Sequence, residues 1–165
     1  MTQILFINAL LLAGYMTIWW AIAYRRKRID TVDIAWGGGF VLVAWATLIQ
    51  APSFRSQLIA NIVTIWGIRL AYHIYSRHKG KGNDPRYTEL SSKWKGNFWL
   101  RAYVSIFLTQ GLLALIVSAP ITVASNEALP NLAWLSIVGT VIWSLGFIIE
   151  ATADTPLSDF LKLND

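Results

Sequence analysis

Residues 25–50 have the sequence RRKRIDTVDIAWGGGFVLVAWATLIQ, a basic cluster followed by a run without charge from Ile34 to Gln50. A helix needs about 20 apolar residues to cross the hydrocarbon core of a bilayer. Runs of the same character lie on both sides of this stretch, and they are Ile4–Tyr24, Ser56–Ser76 (interrupted by Arg69), Ala102–Asn126 and Ala128–Ile149. The sequence therefore predicts an all-α, polytopic transmembrane bundle of about five membrane-spanning helices.

The composition supports a membrane protein with a single integral-membrane domain over residues 1–165. Of the 165 residues, 55% are hydrophobic and 14% are charged, whereas a soluble domain carries about 25% charged residues. The absence of cysteine excludes disulfides and thiolate ligation of metals. Two histidines and nine acids, most of them at predicted helix ends, lead us to expect no metal site.

The basic residues predict the orientation of the helices. Arg25–Arg28 follow the first apolar run and a second basic group lies between residues 77 and 101, whereas the other two loops hold only Arg55. Because cytoplasmic loops are enriched in Lys and Arg, we expect an external N-terminus and a cytoplasmic C-terminus. The same bias accounts for the net charge of +5, so we expect no nucleic-acid partner. No Lys or Arg precedes the first run, which favours an uncleaved span over a signal peptide.

Ionisable residues within or beside these spans are predicted to lie at one depth. Asp33 begins the second helix, Glu150 and Asp154 end the fifth, and Arg69 lies roughly 12 Å inside the end of the third. An Arg at the centre of a membrane helix costs about 2.5–3.5 kcal/mol on insertion scales. Arg69 is therefore expected to face inward, toward one of these acids. These four side chains are expected to share a pocket that opens to the cytoplasm.

Two interpretations of Arg69 stay open at this stage. In one, an ion pair with an acid locks the bundle. In the other, a stripe on one helical face formed by Trp66, Arg69, His73 and Arg77 binds an anionic cofactor. The planar guanidinium of Arg binds two phosphate oxygens at once. The candidate phosphate-binding surface consists of Arg69, Arg77, Lys79, Lys81 and Arg86.

Glycine and proline predict local features of the helices. The triplet Gly37–Gly39 indicates close helix packing, or else room for a ligand or a break in the helix. The second helix is expected to begin near Thr31 or Asp33, and the third to follow Pro52 and reach about Arg77. The polar segment 78–97 carries the turn signal Asn83-Asp84-Pro85. The fourth helix is expected to end at Ala119-Pro120, and the fifth to run from Leu132 to Ala153 before Pro156 ends or kinks it.

Four strings resemble a known family. They are VDIAWG at 32–37 with GFV at 39–41, WGIRL at 66–70 continuing through GKGNDPRY at 80–87, FWLR at 98–101 with Gln110-Gly111, and Glu150 to Asp154 with Leu157 and Phe160. Together they resemble the bacterial membrane family of unknown function that is grouped with the steroid 5α-reductases, over about residues 4–163. This resemblance implies a location in the bacterial inner membrane.

The resemblance also implies an activity. Such an enzyme transfers hydride from NADPH to an activated carbon–carbon double bond of a lipid or steroid-like, apolar substrate. In 5α-reductases an acid and a Tyr polarise the enone carbonyl. The corresponding candidates here are Asp33 or Glu150 as the acid and Tyr72 as the phenol. The expected cofactor-binding residues are Arg69, His73, Arg77, Arg86 and Asp154.

Departures from the family pattern leave alternatives open. Pro156 stands where family members usually have Gln, and the members continue into further helices with an Arg-His-Pro-Asn-Tyr-type motif. We therefore expect this chain to be the N-terminal portion of a longer fold that needs a C-terminal portion or a partner chain. The alternatives are an enzyme resembling the isoprenylcysteine carboxyl methyltransferases and a non-catalytic helical membrane subunit.

Overall fold

The computed structural model describes residues 1–79, 84–92, 94–125 and 133–164, with the backbone alone for residues 90, 91, 133 and 155–164. Within these ranges nearly every residue is helical and none lies in a β-strand. The chain forms two compact units, Met1–Ala128 and Leu129–Asp165. Five helical stretches are long and apolar enough to cross a membrane: Thr2–Arg26, Thr31–Gln50, Phe54–His78, Phe98–Ala124 and Trp134–Asp154. The prediction of an all-α, polytopic membrane protein is confirmed.

The helices follow one another closely along the chain. Their bounds are α1 Thr2–Arg26, α2 Thr31–Gln50, α3 Phe54–His78, α4 Pro85–Ser92, α5 Phe98–Ala102, a π-helical turn at Tyr103–Leu108, α6 Thr109–Val117, α7 Ala119–Ala124 and α8 Ala133–Asn164. Helices α5 to α7 and the π-helical turn together make the fourth span. Helix α4 lies within the polar segment that follows α3.

Local sequence explains where these helices begin and end. Ser53 and Ser56 form a reciprocal capping box at the start of α3, with bonds of 3.1 Å and 2.8 Å between each backbone N–H and the other residue's Oγ. At the end of α1, Lys27 adopts a left-handed conformation with φ 55°, and its N–H donates to the carbonyl of Ala23. This turn reverses the chain into α2.

Two expected helix ends are wrong. Ala119-Pro120 does not end the fourth span, because Pro120 lies in the first turn of α7, where its missing N–H has no intrahelical partner to lose. Helix α8 passes through Pro156 and continues to Asn164, so it does not end near Ala153, and the alternative of a kink at Pro156 stays a prediction. A proline removes one hydrogen bond of a long helix, and the bonds on either side hold the two halves together.

Helix α2 packs between α1 and α3 through its glycines, and it is unbroken. A Cβ atom on Gly67 would lie 2.6 Å from the carbonyl oxygen of Gly37, and one on Gly37 would overlap the carbonyl of Gly67. On the other side of α2, Tyr15 of α1 donates a 2.9 Å hydrogen bond to the carbonyl of Ala35, and its ring covers Gly38. Close packing is thus the role of the glycine triplet.

Polar contacts inside the first unit hold α1 in place. The fully buried amide of Asn8 donates to the hydroxyls of Thr47 at 2.9 Å and Thr122 at 3.4 Å, which ties α1 to α2 and α7. At the other end of α1, the indole N–H of Trp20 donates to the carbonyl of Trp99 at 2.9 Å. These bonds hold α1 against its neighbours, which include α2 with Asp33 in its first turn.

Candidate functional site

A cavity of about 390 Å³ opens beside the first turn of α2, within the first unit. Small-molecule pockets occupy about 300–1,000 Å³, so this cavity is large enough for a ligand or for part of one. Its lining comes from α2, α3, the segment around α4, and α6, and consists of Asp33, Trp36, Leu70, Ile74, Arg77, His78, Asp84, Arg86 and Gln110. One wall is therefore apolar and the rest is polar or charged.

Asp33 lines the cavity, and both of its carboxylate oxygens accept hydrogen bonds. The hydroxyl of Tyr87 donates to Oδ1 at 2.6 Å, and Nη2 of Arg86 donates to Oδ2 at 3.1 Å. The side chain of Asp33 is 19% exposed and that of Arg86 is 71% exposed. Helix α4 is thus attached to the start of α2 through a charged group.

Asp84 is the second carboxylate that binds Arg86. Its carboxylate accepts from Nε of Arg86 at 3.1 Å and from Nη2 at 2.7 Å, and it also caps α4 by accepting from the backbone N–H of Arg86 at 2.9 Å. The hydrogen bonds from Arg86 lower the pKa of Asp84. They likewise raise the pKa of Arg86. Both groups stay ionised through the physiological range.

Tyr87 supports Asp33 from the side away from the cavity. Burial raises the pKa of Tyr87, and its hydrogen bond to the Asp33 carboxylate raises that pKa further. The phenol therefore keeps its proton and holds it against Oδ1 of Asp33. Tyr87 is a positioning residue for Asp33, because the cavity itself is lined by the carboxylate.

Trp36 and Gln110 form the neutral part of the polar wall. The indole N–H of Trp36 donates to Oε1 of Gln110 at 2.9 Å, which orients the amide. The acceptor atom of that amide is thereby engaged, and its –NH₂ group is left to donate. Gln110 can therefore offer a neutral donor to an oxygen atom within the cavity.

His78 completes a cluster of three groups that could ligate a metal. One donor atom each from Asp33, His78 and Asp84 lie within 4.8 Å of one another. Nδ1 of His78 is buried and has no hydrogen-bond partner among the described residues. Arg86 already donates to both carboxylates of the cluster, so a guanidinium provides the cation between them.

The predicted site residues are distributed unevenly around this cavity. Asp33, Arg77 and Arg86 line it. Arg69 and His73 are half-buried on α3 and outside its lining, and Tyr72 is 71% exposed. Glu150 and Asp154 are half-buried on α8, in the second unit. The gathering of Asp33, Arg69, Glu150 and Asp154 in one pocket stays a prediction.

Parts of the predicted motifs lie outside the described residues. These are Gly80, Lys81, Gly82 and Asn83 of the string at 80–87, and the side chains of Leu157 and Phe160.

Sequence reasoning missed the roles of Tyr87, Asp84 and Gln110. A signal for two of them was present, because Asp84 followed by Pro85 is a helix N-cap followed by the residue favoured at the first helical position. Recognising it would have predicted α4, with Arg86 and Tyr87 in its first turn. The bond between Gln110 and Trp36 spans 74 residues, and no local pattern indicates it.

The lowered pKa of Asp84 predicts how stability depends on pH. A carboxyl whose pKa is lowered in the folded state stabilises it above the unfolded pKa, about 3.8–3.9, and this contribution is lost as the pH falls through the folded value. We expect Asp84→Asn to lower the free energy of unfolding by about 1 kcal/mol at pH 7, a modest cost since Arg86 is mostly exposed. Asn preserves the helix cap.

The measurement is the melting temperature of the detergent-solubilised chain between pH 7 and pH 2.5. The difference between the wild type and Asp84→Asn should close as the pH falls below about 4. A difference that stays constant across this range would contradict the proposed role of the Asp84 charge.

Residues 19–164 match the family described as "Protein of unknown function (DUF1295)". No curated protein and no solved structure matches the chain. The match covers more than half of the chain, including α2, α3, α4 and the described lining of the cavity. The expectation of a family of unknown function is thereby confirmed, and the chain belongs to the DUF1295 family; its relation to the steroid 5α-reductases stays a prediction.

Proposed function

We propose that this integral membrane protein acts in the NADPH-dependent reduction of a carbon–carbon double bond in a lipid or steroid-like substrate. The cavity beside Asp33 carries the proposal, because it joins an apolar wall to a carboxylate, two guanidiniums and a neutral amide. Its position at the start of α2, beside Asp33, gives an amphipathic ligand a polar end to bind. The resemblance of the chain to the 5α-reductase group supports this chemistry.

One of the two guanidiniums in the cavity is suited to bind a phosphate group. Arg86 is balanced by Asp33 and Asp84, whereas the exposed Arg77 lines the same cavity. Arg77 would therefore hold a phosphate of the cofactor, assisted by the Nη1 group of Arg86, which makes no hydrogen bond to the described residues. When bound, NADPH would supply the hydride, and the second hydrogen would come from water as a proton.

The protein groups orient and polarise the substrate. The amide –NH₂ of Gln110 can donate to a carbonyl oxygen, which stabilises negative charge that develops there. Tyr87 and Arg86 hold the Asp33 carboxylate in place. Leu70, Ile74 and the ring of Trp36 exclude water from the apolar side.

Titration of NADPH into the detergent-purified chain tests the proposal, with energy transfer from tryptophan to the nicotinamide as the signal. We expect saturable binding that Arg77→Ala weakens about fivefold to tenfold, which corresponds to loss of about 1 kcal/mol. Arg101→Ala is the matched control, since Arg101 is exposed at a helix terminus and lies outside the cavity lining. Arg69→Ala and Asp154→Ala test the other predicted cofactor residues. Absence of saturable binding to the wild type would overturn the proposal.

One observation favours the non-catalytic alternative. Both oxygens of Asp33 are engaged by α4, which is also what a purely structural attachment would require. In that case Asp33→Asn would lower stability, and NADPH would bind neither the wild type nor any variant.

A further inference from the structure

A second cavity, of about 190 Å³, lies where the end of α1, the start of α2 and the end of α3 meet. Its lining includes Arg26, Arg28, Thr31 and Lys79, and His78 is shared with the first cavity. Arg26 is the last residue of α1, and Lys79 is the C-cap of α3. The folded chain thus brings together cations that are more than 50 residues apart in sequence.

The charges that line this cavity do not cancel. Arg28 donates to both oxygens of Asp30, at 3.1 Å from Nε and 2.6 Å from Nη2, and Asp30 is the acid of the lining. Arg26 and Lys79 are exposed, and no acidic side chain of the described residues forms an ion pair with either. Arg26 and Lys79 therefore leave two positive charges for a ligand.

Part of the lining of this cavity is apolar. Ile34 lies about one turn into α2 beyond Thr31, and Tyr75 lies one turn before Lys79 on α3, and both line the cavity. The cations therefore lie at the ends of the spans, and the two apolar groups lie about one turn farther into the helices. An anionic headgroup attached to an acyl chain has the same distribution of polarity.

We propose that this cavity binds a phosphate ester through Arg26 and Lys79. The favoured source is an anionic phospholipid, since basic pockets between membrane helices bind anionic headgroups and the apolar part of the cavity would accept the start of an acyl chain. A free phosphate compound shares the same chemistry at these two cations. The site is independent of the proposed reductase activity.

The test is a titration of dioleoylphosphatidylglycerol into the purified full chain in detergent, with bound lipids counted by native mass spectrometry. Dioleoylphosphatidylcholine and inorganic phosphate provide two further arms. The double variant Arg26→Gln/Lys79→Gln is compared with Arg25→Gln/Arg101→Gln, which removes the same charge from exposed residues outside the cavity. The single variant Lys79→Gln serves if the double variant does not fold.

We expect the double variant to weaken binding of phosphatidylglycerol about tenfold, and the control pair to weaken it less than twofold. Phosphatidylcholine should bind more weakly than phosphatidylglycerol, and inorganic phosphate should not displace the lipid. Displacement by inorganic phosphate, with the same sensitivity to the double variant, would support the site and identify a free phosphate compound as its ligand. Equal effects of the two double variants would overturn the proposal.

Discussion

Replacing Gly37 with alanine is expected to lower the free energy of unfolding by about 2–3 kcal/mol, a typical cost of overpacking. The new Cβ would overlap the carbonyl oxygen of Gly67 and lie 3.2 Å from the backbone nitrogen of Ala71. These neighbours are backbone atoms of α3, so relief requires the two helices to separate. The loss should occur although alanine favours the helical state over glycine by about 1 kcal/mol.

A series of glycine variants provides the controls for this prediction. A Cβ on Gly38 would meet the hydroxyl end of Tyr15, a side chain that can move away, so Gly38→Ala should cost less than Gly37→Ala. A Cβ on Gly14 would meet nothing within 4 Å, and Gly14→Ala should be neutral or stabilising. Unfolding in mixed micelles with increasing SDS measures the three variants. Equal stabilities for Gly37→Ala and Gly14→Ala would contradict the packing of α2 against α3.

The second large effect is expected at Asp33. Asp33→Ala removes the acceptor of Tyr87 and one partner of Arg86, and it should lower the stability of the α2–α4 attachment by about 2–3 kcal/mol. A hydrogen bond to a charged group contributes about 1.5–3 kcal/mol, and the bond from Tyr87 is short and partly buried. The ion pair with Arg86 should add less, because the guanidinium is 71% exposed.

Double-mutant cycles separate these two contributions. We expect a coupling energy of about 1–2 kcal/mol between Asp33→Ala and Tyr87→Phe, and less than about 1 kcal/mol between Asp33→Ala and Arg86→Ala. Hydrogen exchange of the amides in residues 84–92 measures the free energy at which α4 opens. A larger coupling with Arg86 than with Tyr87 would show that charge, and not the buried hydrogen bond, holds α4.

The sequence predicted the spans well because a membrane helix must satisfy all its backbone hydrogen bonds internally. Long uncharged runs follow from that requirement, and Thr31–Gln50 and Phe54–His78 lie close to their predicted bounds. The rule that proline ends a helix failed at Pro120 and Pro156. Pro120 lies in the first turn of α7, where its missing N–H costs no intrahelical hydrogen bond. Pro156 lies inside the long helix α8, whose other hydrogen bonds keep the helix continuous.

The charged residues of the candidate site were easier to predict than the neutral ones, because charged residues are rare in this chain. Asp33 was identified because ionisable groups beside membrane helices indicate function. Arg77 and Arg86 were identified as part of a basic surface suited to phosphate, and all three residues line the cavity. Which phenol meets Asp33 was not predictable, since Tyr72 fits a helical face as well as Tyr87 does. That choice depends on how the segment after α3 folds back, through contacts 53 and 54 residues apart in sequence.

The π-helical turn at Tyr103–Leu108 shifts the register of the fourth span. The buried residues Ala102 and Ile106 lie on one stripe, and Phe107, Gly111 and Ala114 lie on the stripe that continues from it within and after the turn. One surplus residue thus realigns two segments that would otherwise present different sides to α1. Deleting a single amino acid there would turn Trp99 by about 100° relative to Gly111. The fourth span should therefore tolerate exchanges among apolar residues far better than it tolerates a change in length.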